Sequence, residues 1–320
     1  MKVRIDRPAG RRFNEITSDR RHRIGPAPVR RPTPRARGLL PMGKKDKKQK
    51  KAEEAERKAK ADAADWRDEA QIAEPELEKG EGPEAALKRL QDQLVMLQHA
   101  YVIHGHRGIV VLEGWDAAGK GGLIRRIGWC LDPRHLRVHS IGAPTQGEKR
   151  QHWMQRFWTR VPESGRMAIF DRSWYGRVLV ERIEGFATES EWTRAYDEIR
   201  AFETTLLDEG IHIVKLLLDI TPETQLDRLQ SRYDNPEKRW KLTEDDLRNR
   251  ARWRDYEIAY GEMVERTSLP RAPWQRIDAN DKDMARVAAF EAIIKGLGDG
   301  VDVSEPTVPP LIRAFFGDPS

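Results

Sequence analysis

Gly114, Asp116, Gly119 and Lys120 share one short stretch, "VVLEGWDAAGKGG" (110–122), and their spacing points to chemistry on phosphate. An apolar run leads into Gly114, four residues pass, and Gly119 and Lys120 follow. In such a loop the backbone N–H groups around Gly114, Ala117, Ala118, Gly119, Gly121 and Gly122 turn inward on an anion, and the helix behind them adds its positive end. Lys120 then reaches the phosphates that carry most charge. The position after the lysine, where such loops place a Ser or Thr hydroxyl for Mg²⁺, is Gly121, and an acid, Asp116, lies inside the loop. Bare phosphates repel a carboxylate unless a cation sits between them, and Mg²⁺ takes hard oxygen ligands with only one or two carboxylates. Asp116 therefore reads either as a metal ligand or as an acid capping the turn. Arg125 and Arg126 follow one to two turns into the helix, one toward the phosphates and the other toward solvent.

A second motif, "AIFDRSWYGRVLVERIEG" (168–185), places Asp171 at the end of a strand, where a nucleotide-binding sheet carries its second acid. Asp171 reads as a Mg²⁺ ligand, as an orienter of the accepting oxygen, or as a helix cap. Arg172, Arg177 and Arg182 follow. Guanidinium groups grip phosphate bidentately and stabilise charge moving in the transition state, although Arg182 reads equally as half of a surface ion pair. A third region, 228–254, is dense in Arg and Lys with aromatics interleaved. Asn235-Pro236 breaks it into a loop, and Arg232, Lys238 and Lys241 are its expected phosphate contacts, carried on a lid. Most of Asp245–Arg250 reads as a solvated face.

Alternating strands and helices must position these groups. Leu87, Leu90, Leu94 and Leu97 recur at helical spacing just before the first strand, Ile109–Glu113. A helix to about Trp129 follows, then a strand at Val138–Ile141, a helix at Glu148–Arg160 with a Trp153/Phe157/Trp158 core stripe, and a strand at Met167–Phe170. Next come a helix at Glu191–Glu209, a long buried strand at 211–220, helices from Pro222 to about Arg232 and over 243–267, a strand at 274–279 and a closing helix at Lys282–Leu297. Such alternation predicts an α/β three-layer sandwich, a mostly parallel sheet with helices on both faces.

The 320 residues are 38% hydrophobic and 34% charged, with a formal net charge of +6. An excess of cations suits a polyanionic partner or reflects a solvated basic tail. The single cysteine, Cys130, excludes an internal disulfide and a Cys-rich metal site, and reads as a buried structural thiol. No run approaches the roughly 18 apolar residues of a membrane span, and the Arg-rich start lacks a secretory apolar core, so a cytoplasmic location is expected. Residues 1–41, rich in Arg and Pro, are expected to be disordered. Met42 opens a second plausible start, which leaves the translation of the first 41 residues open. A solvated helix at 44–64 and a linker at 65–83 complete a basic extension (1–83) ahead of the domain at 84–298, whose lid spans about 232–255; 299–320 reads as a tail.

Together "GWDAAGKGG", "DRSWYGR", "RYDNPEKRWKLTEDD" and "PWQRIDANDKDMAR", in this order, resemble the polyphosphate kinase 2 family across the whole folded part. The resemblance implies a P-loop kinase-like fold with a helical lid and Mg²⁺-dependent phosphoryl transfer between inorganic polyphosphate and a nucleotide (AMP, ADP or ATP). It places Asp116, Lys120, Asp171, Arg172, Arg232 and Lys241 in the site, Asp116 and Asp171 on the metal, and it implies a homo-oligomer. "DRSWYGRVLVERIEG" resembles the branch that phosphorylates AMP; ADP or GDP is the alternative acceptor. Glycine at 121 would then let a chain of phosphates pass close to the backbone. An ATP-dependent nucleotide kinase of the thymidylate kinase type shares the loop. A polyanion- or nucleic-acid-binding protein using its basic arm is the non-enzyme alternative, although no dedicated nucleic-acid site is expected.

Overall fold

The computed structural model describes residues 72–304 and 307–317, all within the compact unit Lys50–Ser320. The expected disordered tract at 1–41, the helix at 44–64 and most of the linker lie outside the described residues. Within them, α1 (Pro83–His104) precedes β1 (Arg107–Gly114), α2 (Lys120–Cys130) and β2 (Leu136–Ser140). Then come α3 (Gln155–Trp158), β3 (Arg166–Asp171), α4 (Val180–Ile183), α5 (Glu189–Asp208) and β4 (Ile211–Asp219). The rest is α6 (Pro222–Asp234), α7 (Glu244–Ala251), α8 (Trp253–Thr267), β5 (Trp274–Asp278), α9 (Lys282–Gly298) and α10 (Pro310–Phe316).

The strands form a five-stranded sheet in the order β2-β3-β1-β4-β5, every neighbouring pair parallel. The near-continuous apolar strands β1 and β4 take the centre because helices cover both their faces. Neighbouring residues on β4 show this directly, since successive side chains point to opposite faces. Val214 lies so close to α9 that a Cβ on Gly296 would sit 2.5 Å from its methyl. Lys215 reaches Glu203 on α5 and the Thr267 carbonyl on α8, at 2.7 Å each. The α/β sandwich expected from the sequence is therefore present.

Some segments depart from the sequence reading. Glu148–Arg160 is not one helix but a 3₁₀ turn at Glu148–Arg150 and the short α3. Glu148 accepts from the Thr145 N–H at 2.8 Å and takes Arg156 and Arg160 at 3.4 and 3.1 Å. In a straight helix its partner at 160 would lie about 18 Å away, so the segment folds back on its own carboxylate. Of the expected core stripe, Phe157 is buried, while Trp158 is exposed and edges onto Phe202. The helix expected at 243–267 breaks at Arg252, between α7 and α8. There Arg252 turns toward Glu184 at 3.6 Å, and Trp253 lies flat on Trp115, centroids 3.5 Å apart. Cys130 is half-buried, and burial pushes its thiol up to about 11. Residues 72–73 extend the sheet, with the Ala73 N–H donating to the Arg276 carbonyl on β5. No helix among the described residues is long and apolar enough to cross a membrane.

Candidate active site

Where neighbouring strands diverge at a change in winding direction, the carboxyl ends of a parallel sheet open a crevice. Here β1 runs between β3 and β4, with Leu112 opposite Asp171 and Gly114 opposite Leu218. The loop at 114–119 and the turn at 171–175 therefore leave the sheet side by side. The loop is tight because its backbone is unusual: φ is 134° at Gly114, 65° at Ala117 and 118° at Gly119. Gly114 leaves no room for a side chain, since a Cβ would meet the Leu218 carbonyl oxygen at 2.2 Å. Arg228 on α6, buried, braces the loop from below by donating to the carbonyls of Ala117 and Ala118 at 3.1 Å, and to those of Ala279 and Asn280.

Lys120 opens α2 and folds back over the loop, its ammonium donating to the Gly114 and Trp115 carbonyls at 2.5 and 3.0 Å. Asp116 receives Arg172 on one oxygen at 3.1 Å and the Asn249 amide on the other at 2.8 Å. Burial opposes the charged form of Asp116, but Lys120, Arg172 and the amide outweigh it and hold the carboxyl below the usual range. Burial lowers Lys120, which stays below the ordinary lysine range despite its carboxylate neighbours. Arg172 is pinned in the left-handed region at φ 61° and stands half-exposed. Asp171 is half-buried and has no side-chain hydrogen bond or ion pair among the described residues, yet its charge is felt at Lys120 and Glu113.

A small cavity of about 50 Å³ opens here, lined among others by Glu113, Asp116, Arg172, Asn249, Tyr256 and Tyr260. Ligand pockets typically span roughly 300–1,000 Å³, so the cavity in this conformation is smaller than one that holds a nucleotide-sized ligand. A larger cavity, about 780 Å³, lies between residues 72–78, α1 and α9. Glu74, Glu76, Glu78 and Glu291 outnumber Arg89 and Lys295 along its lining, which disfavours an anionic ligand there.

The remaining expected site residues are distributed unevenly. Arg125 is exposed and stacks over Trp129, with Arg126 beside it donating to the Gly122 carbonyl. Arg177 pairs with Glu181 at 2.9 Å and lies over Trp153. Arg182 is committed to Glu262 at 2.8 Å and to the face of Trp192, the ion pair that the sequence left open. Arg232 faces Asp246 at 3.6 Å, whereas Lys238 and Lys241 are exposed, Lys241 against Trp240. Gly121 and Gly122 lie in open space, where a Cβ meets nothing within 4 Å. The protein itself therefore gives no steric reason for glycine at 121. Gly121→Ser is expected to fold with an unchanged or slightly higher melting temperature, since glycine inside a helix costs about 1 kcal/mol. A melting temperature several degrees lower would contradict the open space at 121.

Several pocket residues carry no signal in the sequence. Asn249 and Arg250 fall in the stretch expected to be solvated. Instead the capping box of Thr243 and Asp246 sets α7 so that Asn249 meets Asp116, while Arg250 donates to the Pro222 carbonyl at 2.7 Å. Trp115 donates to Asp219 at 2.7 Å beneath its stack with Trp253. Glu113 reads as one more residue of an apolar strand, but its buried carboxylate accepts from the Ser173 hydroxyl at 2.8 Å. Burial pushes Glu113 up from 4.5 to about 6, against the pull of Ser173, Lys120 and Arg172. The folded state thus holds this proton more tightly than the unfolded chain, so stability is lost as pH rises through about 6. A rise of this size corresponds to about 2 kcal/mol. Glu113→Gln is therefore expected to melt higher than the wild type at pH values well above that window and equally below it, read by thermal unfolding on either side.

The donor set suits a hard cation. Asp116 and Asp171 supply carboxylate oxygens near the ends of β1 and β3, and among the described residues no group of three or more His, Cys, Asp or Glu could cage a metal alone. Mg²⁺ commonly takes one or two carboxylates and completes its shell with water and phosphate oxygens.

Comparison with known proteins gives this geometry its relatives. A family model described as Polyphosphate kinase 2 matches residues 77–302. A polyphosphate:AMP phosphotransferase of Pseudomonas syringae pv. tomato is 54% identical over 192 residues, 60% of this chain but 39% of that protein. The chain thus spans well under half the length of that relative. ADP-polyphosphate phosphotransferase 2 of Rhizobium meliloti is 42% identical over 210 residues, 66% of this chain and 69% of that one. The crystal structure of polyphosphate kinase 2 from Arthrobacter aurescens TC1 superposes with a TM-score of 0.69 at 33% identity, covering 73% of this chain and 86% of that chain. Because the matched span holds the loop, the Asp-Arg turn and α6–α7 together, the chain belongs to the polyphosphate kinase 2 family.

Proposed function

We propose that this chain transfers phosphoryl groups between inorganic polyphosphate and a nucleotide, with AMP converted to ADP. The observation that carries this reading is the convergence of Lys120, Arg172, Asp116 and Asp171 at the adjoining ends of β1 and β3, beside an anion-binding loop. Phosphoryl transfer needs little covalent help, because the accepting phosphate oxygen is already ionised; catalysis is positioning and charge stabilisation. Lys120 would leave its loop carbonyls for the oxygens of the transferred group. Arg172, half-exposed, would turn from Asp116 to the same charge. Asp116 and Asp171 would hold Mg²⁺, which neutralises phosphate oxygens when bound. Asn249 would release Asp116 as α7 lifts, making α7 part of a lid over the site, and Arg232, Lys238 and Lys241 would follow the phosphate chain.

AMP as acceptor is supported by the name of the Pseudomonas syringae relative. ADP is the second reading, supported by the name of the Rhizobium meliloti relative. Purified protein with Mg²⁺ and polyphosphate, offered AMP and ADP separately, decides between them by product analysis on anion exchange. Truncation before residue 72 spares the strand pairing of Ala73. Transfer is expected to survive it, whereas a binding function of the basic arm would not.

A further inference from the structure

The turn that presents Arg172 rests on a polar group that the chemistry does not touch. Lys215 lies in the middle of "IHIVKLLLD", on a strand flanked by β1 and β5, and is completely buried. Glu203 on α5 is equally buried and takes its ammonium at 2.7 Å. The other Glu203 oxygen accepts from the Trp174 indole at 3.0 Å and the Tyr175 hydroxyl at 2.7 Å. Lys215 also donates to Tyr175 at 3.2 Å and to the Thr267 carbonyl at 2.7 Å. Stability alone does not explain such a pair, because well-packed apolar residues of similar volume are often as stable as a buried ion pair or more so. Its partners explain it better. Trp174 and Tyr175 directly follow Asp171, Arg172 and Ser173, and both rings are fully buried.

A long side chain at φ 61° is strained, by about 1–3 kcal/mol. Such a conformation persists only where its surroundings over-determine it. Upstream, the β3 ladder and the Arg172 N–H, donating to the Leu112 carbonyl at 3.1 Å, fix the entry. Downstream, the exit is fixed by Ser173 on Glu113 and by two consecutive aromatic residues gripping one carboxylate. We propose that buried Glu203, its charge balanced by Lys215, is a positioning device for transfer, its oxygen holding Trp174 and Tyr175 so that Arg172 stays in its strained conformation against the loop. Glu203 is the positioning residue and Lys215 its counter-charge; the catalytic contact belongs to Arg172. This inference rests on the proposed phosphotransfer reading.

Removing one partner alone would strand a buried charge and risk unfolding, so the test compares two double variants. Glu203→Gln/Lys215→Met removes both charges and keeps an oxygen for Trp174 and Tyr175. Glu203→Leu/Lys215→Met removes both charges and the oxygen. The first is expected to keep kcat near the wild-type value. The second should lose on the order of tenfold or more in kcat, with a smaller change in KM, as misplacement of a catalytic group does. In its crystal structure residue 172 should leave the left-handed region and its contact with Asp116. Equal kcat in the two folded doubles, with residue 172 unmoved, overturns the proposal. Should the Leu/Met double not fold, Tyr175→Phe removes one hydroxyl and keeps the ring; a several-fold fall in kcat is expected, and an unchanged kcat overturns the proposal. A wild type that transfers nothing from polyphosphate defeats the functional reading, while the conformation of residue 172 still decides this one.

Discussion

Lys120→Ala is expected to lower the turnover of the proposed polyphosphate-dependent nucleotide phosphorylation by about 10²- to 10³-fold, the loss typical of removing one preorganised charge-stabilising donor. The fold should survive, because Lys120 is only half-buried and its contacts are two loop carbonyls that water can satisfy once the side chain is gone. The lysine is poised rather than fixed. Burial disfavours its charge and Asp116, Asp171 and Glu113 oppose that without cancelling it, so an arriving phosphate adds to a field already present. Lys120→Arg should not rescue the activity, since a planar fork does not replace a compact ammonium in a loop this tight. Steady-state kinetics beside a thermal melt separate the cases. Turnover within a few-fold of wild type in Lys120→Ala would remove the residue from the chemistry.

Gly114→Ala is expected to damage the fold itself. Its Cβ would lie 2.2 Å from the Leu218 carbonyl oxygen and 2.9 Å from the Leu218 nitrogen and carbonyl carbon, all backbone atoms of the neighbouring central strand. Neither strand can retreat without breaking the β1–β4 ladder, and φ of 134° is itself unfavourable for alanine. Overpacking and strain each cost about 1–3 kcal/mol, and together roughly 3 kcal/mol or more is expected. For a domain of this size that lowers the melting temperature by roughly 6–12 °C. Gly119→Ala is the control, with a comparable φ of 118° but nothing within 4 Å of the added carbon. It should lose only the strain. Equal melting temperatures in the two variants would contradict the close approach at Gly114.

The loop and the alternation of strands with helices were legible because they rest on local signals. The apolar run before Gly114, the spacing to Lys120 and the alternation of strands with amphipathic helices each leave a mark in consecutive residues. What stayed hidden depends on groups meeting from distant parts of the chain. Asn249 looks like one polar residue among charged ones, and only the placement of α7 over the loop brings it to Asp116. Glu113 is invisible as a buried titrating carboxyl until β1 is central and Ser173 returns beside it. The break at Arg252 has no Pro or Gly to announce it, since the stack of Trp253 on Trp115 is a tertiary event. The segment at 148–160 looked helical because its aromatics are suitably spaced, and lost its regularity to Arg156 and Arg160 converging on Glu148.

The most direct test of the central claim is an end-point assay of the purified chain with Mg²⁺, polyphosphate and AMP, without ATP, followed by separation of the nucleotides. ADP that appears only when polyphosphate is present, and disappears in Lys120→Ala, is the predicted result. No phosphorylation of AMP or ADP from polyphosphate, with ATP converting AMP to ADP once it is supplied, would contradict it and mark the chain as an ATP-dependent kinase.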